Sequence, residues 1–202
     1  MNSSVIGVLA IQGDFAAHAR TLRRVGVDII EVRRADDLNK AEGLIIPGGE
    51  STTMLKFIEE ENLAAPIIGF ARQGKPIFGT CAGAIVLARE VYNPAQASLG
   101  LLDIDVERNG YGRQVNSFIA DVEIDIAGGP LEAVFIRAPK IIRVGAEVQV
   151  LARLNDEPVL VRERNILAAT FHPELTGDDR IHRLLVEMVR GVRETEATLA
   201  AF

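Results

Sequence analysis

Apolar residues in the first eighty positions come as short blocks separated by longer mixed stretches. Residues 5–10 (Val5-Ile6-Gly7-Val8-Leu9-Ala10) form a continuous apolar run that suits a strand buried on both faces. From Phe15 the period lengthens, with Phe15, Ala19 and Leu22 on one stripe of a helix and Gly26 as its stop. Further strands are predicted at 27–32, 43–46 and 76–79. Between them, Ser51 reads as a cap for a helix carrying Met54, Leu55 and Ile58, and 66–73 reads as a short helix closed by Gly74. A helix-like run covers 84–90. Strands alternating with helices at this spacing predict a doubly wound parallel sheet.

The second half changes rhythm. Residues 118–126 read as a half-exposed antiparallel strand, with apolar and polar positions alternating strictly from Ala120 onward. Short strands follow at 133–136, 148–154, 158–162 and 166–171, with Asn155-Asp156-Glu157 as a hairpin connection. The parallel sheet therefore gains an antiparallel extension. A last helix starts near Asp179, with Ile181, Leu184, Leu185, Met188 and Val189 on one face. Residues 191–202 read as a peripheral tail. No repeat or linker interrupts the 202 residues, so a single α/β domain over 1–202 is expected.

Composition narrows the function. The net charge is −6 without a basic block, and there is no Trp, which disfavours nucleic acid as a partner. No apolar run is long enough to span a bilayer, and the N-terminus lacks the features of a signal peptide. A single cysteine excludes an intramolecular disulfide and suits a reducing cytoplasm. Three scattered histidines and no cysteine pair argue against a structural zinc site, and no metal is expected.

That cysteine, Cys81, sits in Gly79-Thr80-Cys81-Ala82-Gly83, between an apolar lead-in and the helix-like run. A strand, a glycine-flanked nucleophile and a helix make a nucleophile elbow, here with sulfur. The helix N-terminus favours thiolate. A buried structural cysteine explains the glycine-flanked segment equally well. The segment Phe171-His172-Pro173-Glu174 adds a base. Proline favours extended geometry, in which residues two apart point the same way, so Glu174 reaches back to the His172 imidazole. A carboxylate on one ring nitrogen leaves the other free to accept a proton. His18 and His182 lack such a partner and read as surface or boundary residues. The loop Pro47-Gly48-Gly49-Glu50-Ser51 follows the third strand, on the same edge of the sheet as the elbow. Its adjacent glycines let an N–H turn toward an oxyanion, with the Ala82 N–H as second donor. Arg108 and Arg137, in loop and strand-end settings, suit either an anionic substrate end or a surface ion pair.

These segments together resemble the triad (class I) glutamine amidotransferases, whose architecture is flavodoxin-like. The glutaminase subunits of pyridoxal 5′-phosphate synthases are the nearest match. The resemblance rests on residues 7–13, 47–53, 79–83, 108–109, 112–114, 135–139 and 171–175. It implies hydrolysis of L-glutamine to glutamate and ammonia by Cys81, His172 and Glu174, without a cofactor. It implies glutamine contacts at Gly49, Glu50, Ser51, Arg108, Ile136 and Arg137, with Gly49 and Ala82 as oxyanion donors. It also implies delivery of ammonia to a synthase subunit in a heteromeric complex. A triad glutaminase serving a different synthase is the alternative. Two departures adjoin Arg108: Asn116 replaces the family's usual aspartate, and Gly110-Tyr111 replaces a Ser/Ala-Phe pair.

Overall fold

The computed structural model describes residues 3–11, 13–111, 117–126 and 128–200. The first half alternates as the hydrophobic blocks require: β1 (Val5–Leu9), α1 (Phe15–Arg24), β2 (Asp28–Val32), α2 (Ala35–Leu38), β3 (Gly43–Ile46), α3 (Ser51–Glu60), α4 (Ala64–Arg72), β4 (Ile77–Thr80) and α5 (Ala82–Leu87). The second half supplies β5 (Ala88–Tyr92), β6 (Leu102–Glu107), β7 (Ser117–Ile124), β8 (Leu131–Ile136), β9 (Lys140–Val144), β10 (Gln149–Leu154), β11 (Glu157–Glu163) and β12 (Ile166–Ala169). A 3-10 turn over Pro173–Leu175 and α6 (Arg180–Ala200) complete it.

Among the described residues, nine strands form one sheet in the order β2-β1-β3-β4-β12-β11-β10-β7-β8. The pairs β1/β2, β1/β3, β3/β4 and β4/β12 are parallel. The pairs β12/β11, β11/β10, β10/β7 and β7/β8 are antiparallel. The expected parallel sheet with an antiparallel extension is thus present. Strands β3, β4 and β12 are buried at every position, because helices cover both faces. Each fully buried Leu or Ile in them stabilises the fold by roughly 1.5–3 kcal/mol.

The extension curls back on the parallel part. Strand β8 ends the sheet order, yet the His172 N–H donates to Val134 O at 2.8 Å. Aromatic rings fill the inside of the curl. Phe118 stacks on Phe135 at 4.6 Å, and Phe135 meets Phe171 at 5.6 Å. The curl brings Ile136 and Arg137 to the C-terminal edge of the parallel strands.

Several expectations are corrected. The helix after the elbow ends at Leu87, and Ala88-Arg89-Glu90 belongs to β5. Strands β5, β6 and β9 form a second, three-stranded sheet that was not among the expected elements. Glu50, not Ser51, caps α3 by accepting the Thr53 N–H at 2.9 Å. The last helix runs past Gly191 to Ala200. The expected tail is therefore helical, and its Arg193 pairs with Glu42. His18 and His182 are fully buried, not surface residues. No helix among the described residues is long and apolar enough to cross a membrane. Gln12, residues 112–114 and Asn116 lie outside the described residues.

Candidate active site

The three candidate catalytic side chains arrive from two connections at the C-terminal edge of the sheet. Cys81 is the residue between β4 and α5. Its backbone has φ 48° and ψ −102°, a region that costs a non-glycine residue of order 1–3 kcal/mol. The turn is held from outside, since the Cys81 N–H donates to Ala169 O of β12 at 2.8 Å. Gly83 makes the tight geometry possible by close approach, because a Cβ there would collide with the carbonyl oxygen of Ile46. The sulfur is buried, and its Sγ lies 3.7 Å from Ile136 O.

His172 and Glu174 follow β12. The expected reach of Glu174 to the imidazole is present, with Nδ1 and Oε1 2.8 Å apart. The backbone route differs from the extended segment that was expected. Pro173 opens a 3-10 turn, and that turn swings Glu174 back under His172. Proline fits this first position, because its fixed φ suits the turn and its missing N–H has no partner to lose there. Burial alone would lower the basicity of His172. Hydrogen bonds to Cys81 and Glu174 outweigh it and raise the pKa to about 10. His172 is therefore a strong acceptor for a proton from the neighbouring sulfur. Burial pushes the Glu174 carboxyl above its ordinary range, with the His172 hydrogen bond opposing. Asp14 is a second carboxylate near Nδ1, but at 3.5 Å it is the weaker partner.

A cavity of about 180 Å³ opens over the sulfur. Its wall includes Gly49, Glu50, Ser51, Arg108, Ile136 and Arg137, so the structure brings together all six expected glutamine contacts. Ala82, the second expected oxyanion donor, also lines it. The Pro47–Ser51 loop packs so closely on the imidazole that a Cβ on Gly48 would strike His172 Cε1. Gly49 has φ 145°, a conformation open to glycine. Arg108 Nη2 donates to Glu50 Oε1 at 3.1 Å, so opposite charges face each other in the wall. Burial of Glu50 is outweighed by hydrogen bonds from Thr52 and Thr53, which hold its carboxyl below the usual range. Ser51 Oγ donates to Gln96 Oε1 at 3.0 Å.

The departure at Gly110-Tyr111 has a local explanation. Lys140 Nζ lies 4.7 Å over the Tyr111 ring, and its chain occupies the space a side chain on residue 110 would need. A larger hollow of about 610 Å³ lies at the other end of the strands, near Pro76, Asn165 and Met188. It contains neither cysteine nor histidine, so chemistry rather than size identifies the site.

Sequence reasoning missed Asp14, Ile85 and Asn109 in the cavity wall and His18 beneath it. The signal for His18 was present. It stands three residues after Phe15 and four before Leu22, on the stripe that faces inward.

Comparison with known proteins places the chain among glutamine amidotransferases. Residues 8–191 match the SNO glutamine amidotransferase family. A protein named pyridoxal 5′-phosphate synthase subunit PdxT from Koribacter versatilis is 54% identical, covering 92% of this chain and 95% of that one. A protein of the same name from Thermotoga maritima is 50% identical, covering 92% and 99%. Among solved structures, a glutamine amidotransferase superposes with a TM-score of 0.87 at 48% identity, over 92% of this chain and 99% of that one. A putative GMP synthase protein from Thermoplasma acidophilum shares the fold, with a TM-score of 0.74 at 20% identity over 98% and 99%. The chain belongs to the SNO glutamine amidotransferase family.

Proposed function

We propose that this chain hydrolyses L-glutamine to L-glutamate and ammonia and passes the ammonia to a synthase subunit that makes pyridoxal 5′-phosphate. The observation that carries the reading is the convergence of Cys81, His172 and Glu174 beneath one cavity. The names of the relatives support the choice of synthase.

In this reading the Cys81 thiol gives its proton to His172 and attacks the side-chain amide carbon. The carbonyl oxygen takes the negative charge and is met by the N–H groups of Gly49 and Ala82. His172 then returns the proton to the departing nitrogen, releasing ammonia and leaving a γ-glutamyl thioester. Water, losing a proton to His172, cleaves the thioester to glutamate and restores the thiol. Glu174 holds the imidazole in one tautomer throughout. The Glu50–Arg108 pair offers the two charges a free amino acid needs: Glu50 for its ammonium and Arg108 for its carboxylate. Ser51, Ile136 and Arg137 complete the wall around the substrate. A thiol that must stay reduced suits the cytoplasm.

The test is glutamate release by the purified chain, with and without a pyridoxal 5′-phosphate synthase subunit. Release that rises when the synthase is added is the expected result. No release in either condition, or stimulation only by a different synthase, would overturn the assignment.

A further inference from the structure

The titratable side chains of the site do not end at Glu174. Its second oxygen, Oε2, is buried and has no aligned hydrogen-bond donor among the described residues. The group it faces is His18 of α1, whose Nε2 lies 3.3 Å away, with both side chains completely buried. The same Nε2 is 3.1 Å from Thr80 Oγ1, on the residue that precedes the nucleophile. On its other side, His18 Nδ1 is 2.9 Å from His182 Nε2 of α6. Phe78 closes the group from β4, edge-on to both imidazoles at 6.3 and 6.2 Å.

We infer that His18 is a positioning residue for the triad, presenting an Nε2–H to Glu174 Oε2 and held in that tautomer by His182. The inference rests on the proposed role of Glu174 as the partner of His172. A neutral imidazole carries one proton, and the two possible placements are not equivalent. With the proton on Nε2, His18 donates to Thr80 Oγ1 at 3.1 Å and sets the positive end of the same N–H beside the carboxylate oxygen at 3.3 Å, while Nδ1 accepts from the His182 Nε2–H. With the proton on Nδ1, an electron-rich Nε2 would sit 3.3 Å from a carboxylate oxygen with no proton on either atom to offset the repulsion. The first placement puts one proton in every close contact from His182 to His172. Burial keeps both outer histidines neutral: His18 is held well below its ordinary pKa, and His182 falls to about 4. Burial also disfavours the charge on Glu174, so a donor at Oε2 matters to a carboxylate that must stay ionised. The groups facing this cluster are Glu174 and His172 from the turn, Thr80 from β4, Arg24 from α1 and Asp179 beside α6.

The test uses the full chain with its synthase partner. Nitrogen-15 spectra of the histidine-labelled protein should show His18 protonated at Nε2 and accepting at Nδ1. The opposite tautomer would overturn the inference, and this measurement needs no variant to fold. His18→Leu should lower kcat for glutamine by about tenfold to a hundredfold at unchanged KM, the range seen when a partner that orients a metal-bound imidazole is lost. His18→Gln, whose amide can donate toward Oε2, should recover most of that loss. Equal losses in the two variants would mean that His18 only fills space. Unchanged kcat in His18→Leu, beside an impaired Glu174→Gln, would sink this inference alone. Unchanged kcat in Glu174→Gln would instead remove the role of Glu174 on which it stands.

Discussion

Two clusters of titratable residues in this molecule obey the same electrostatics with opposite consequences. One is the buried line from Cys81 through His172 and Glu174 to His18 and His182. The other lies on the small second sheet, where Arg143 of β9 donates to Asp103 at 2.6 Å and to Asp105 at 2.7 Å, both on β6. Arg89 of β5 adds a contact to Asp103 at 3.1 Å. The outer cluster has the better hydrogen-bond geometry. Arg143 pulls the Asp103 carboxyl down, and the two aspartates push the guanidinium up, as expected for facing opposite charges. These groups are solvated, so the contacts add little to stability. The inner cluster is less well satisfied, with Glu174 Oε2 and His182 Nδ1 lacking aligned partners among the described residues. It holds the groups whose protonation the proposed reaction uses. Good pairing and useful chemistry are separate properties, and burial divides them.

The comparison breaks most sharply at the sulfur. Cys81→Ala should abolish ammonia release while circular dichroism and melting temperature stay near wild type. Residual hydrolysis at a normal rate would remove the nucleophile from the mechanism. His172→Asn should slow labelling of Cys81 by a glutamine-analogue electrophile by roughly 10²–10⁴-fold, the scale of general-base catalysis. Labelling at the normal rate would mean that another group activates the sulfur.

A third prediction concerns pH and stability. His182 has a pKa of about 4 in the fold against 6.5 unfolded, so the unfolded chain binds the proton more readily between those values. Its contribution is complete above pH 6.5 and is lost as pH falls toward 4, by about 3 kcal/mol at full development. His172 acts in the opposite sense. Its pKa of about 10 gives a contribution present below pH 6.5 and lost as pH rises through 10. Urea unfolding from pH 7 to 4 should therefore show a decline that His182→Leu flattens. An unchanged slope in that variant would place the acid sensitivity elsewhere. The smallest effect belongs to the outer cluster. Arg143→Ala should leave glutaminase activity unchanged and move the melting temperature least of the set. A large loss would show that the second sheet depends on those pairs.

The parallel half of the fold was legible because buried parallel strands read as unbroken apolar runs, and β3 appears at its observed bounds. The second sheet was not legible in the same way. Ala88, Arg89 and Glu90 favour helix by propensity, and only pairing of β5 with β6 makes them a strand. Strand β6 did carry its signal, since Leu102, Ile104 and Val106 alternate with acidic residues and are the buried positions. At the site, residue identity was easier to read than conformation. Glu174 meets His172 as expected, yet through a turn rather than an extended segment. The inner histidines were missed because each was weighed by whether a neighbouring carboxylate in the sequence could partner it, and not by its position on the inward face of its helix.

The backbone at Cys81 has one more consequence, which concerns descent. A φ of 48° at this position is uncomfortable for every residue with a Cβ and comfortable for glycine. Folding alone would therefore favour glycine at residue 81, and under the proposed mechanism selection for attack on an amide is what keeps a side chain there. A lineage that no longer needed ammonia from glutamine would be free to drift toward glycine at this one place, relieving local strain as it lost its chemistry. Glycine in the elbow of a relative would then mark a retired enzyme whose fold had been kept.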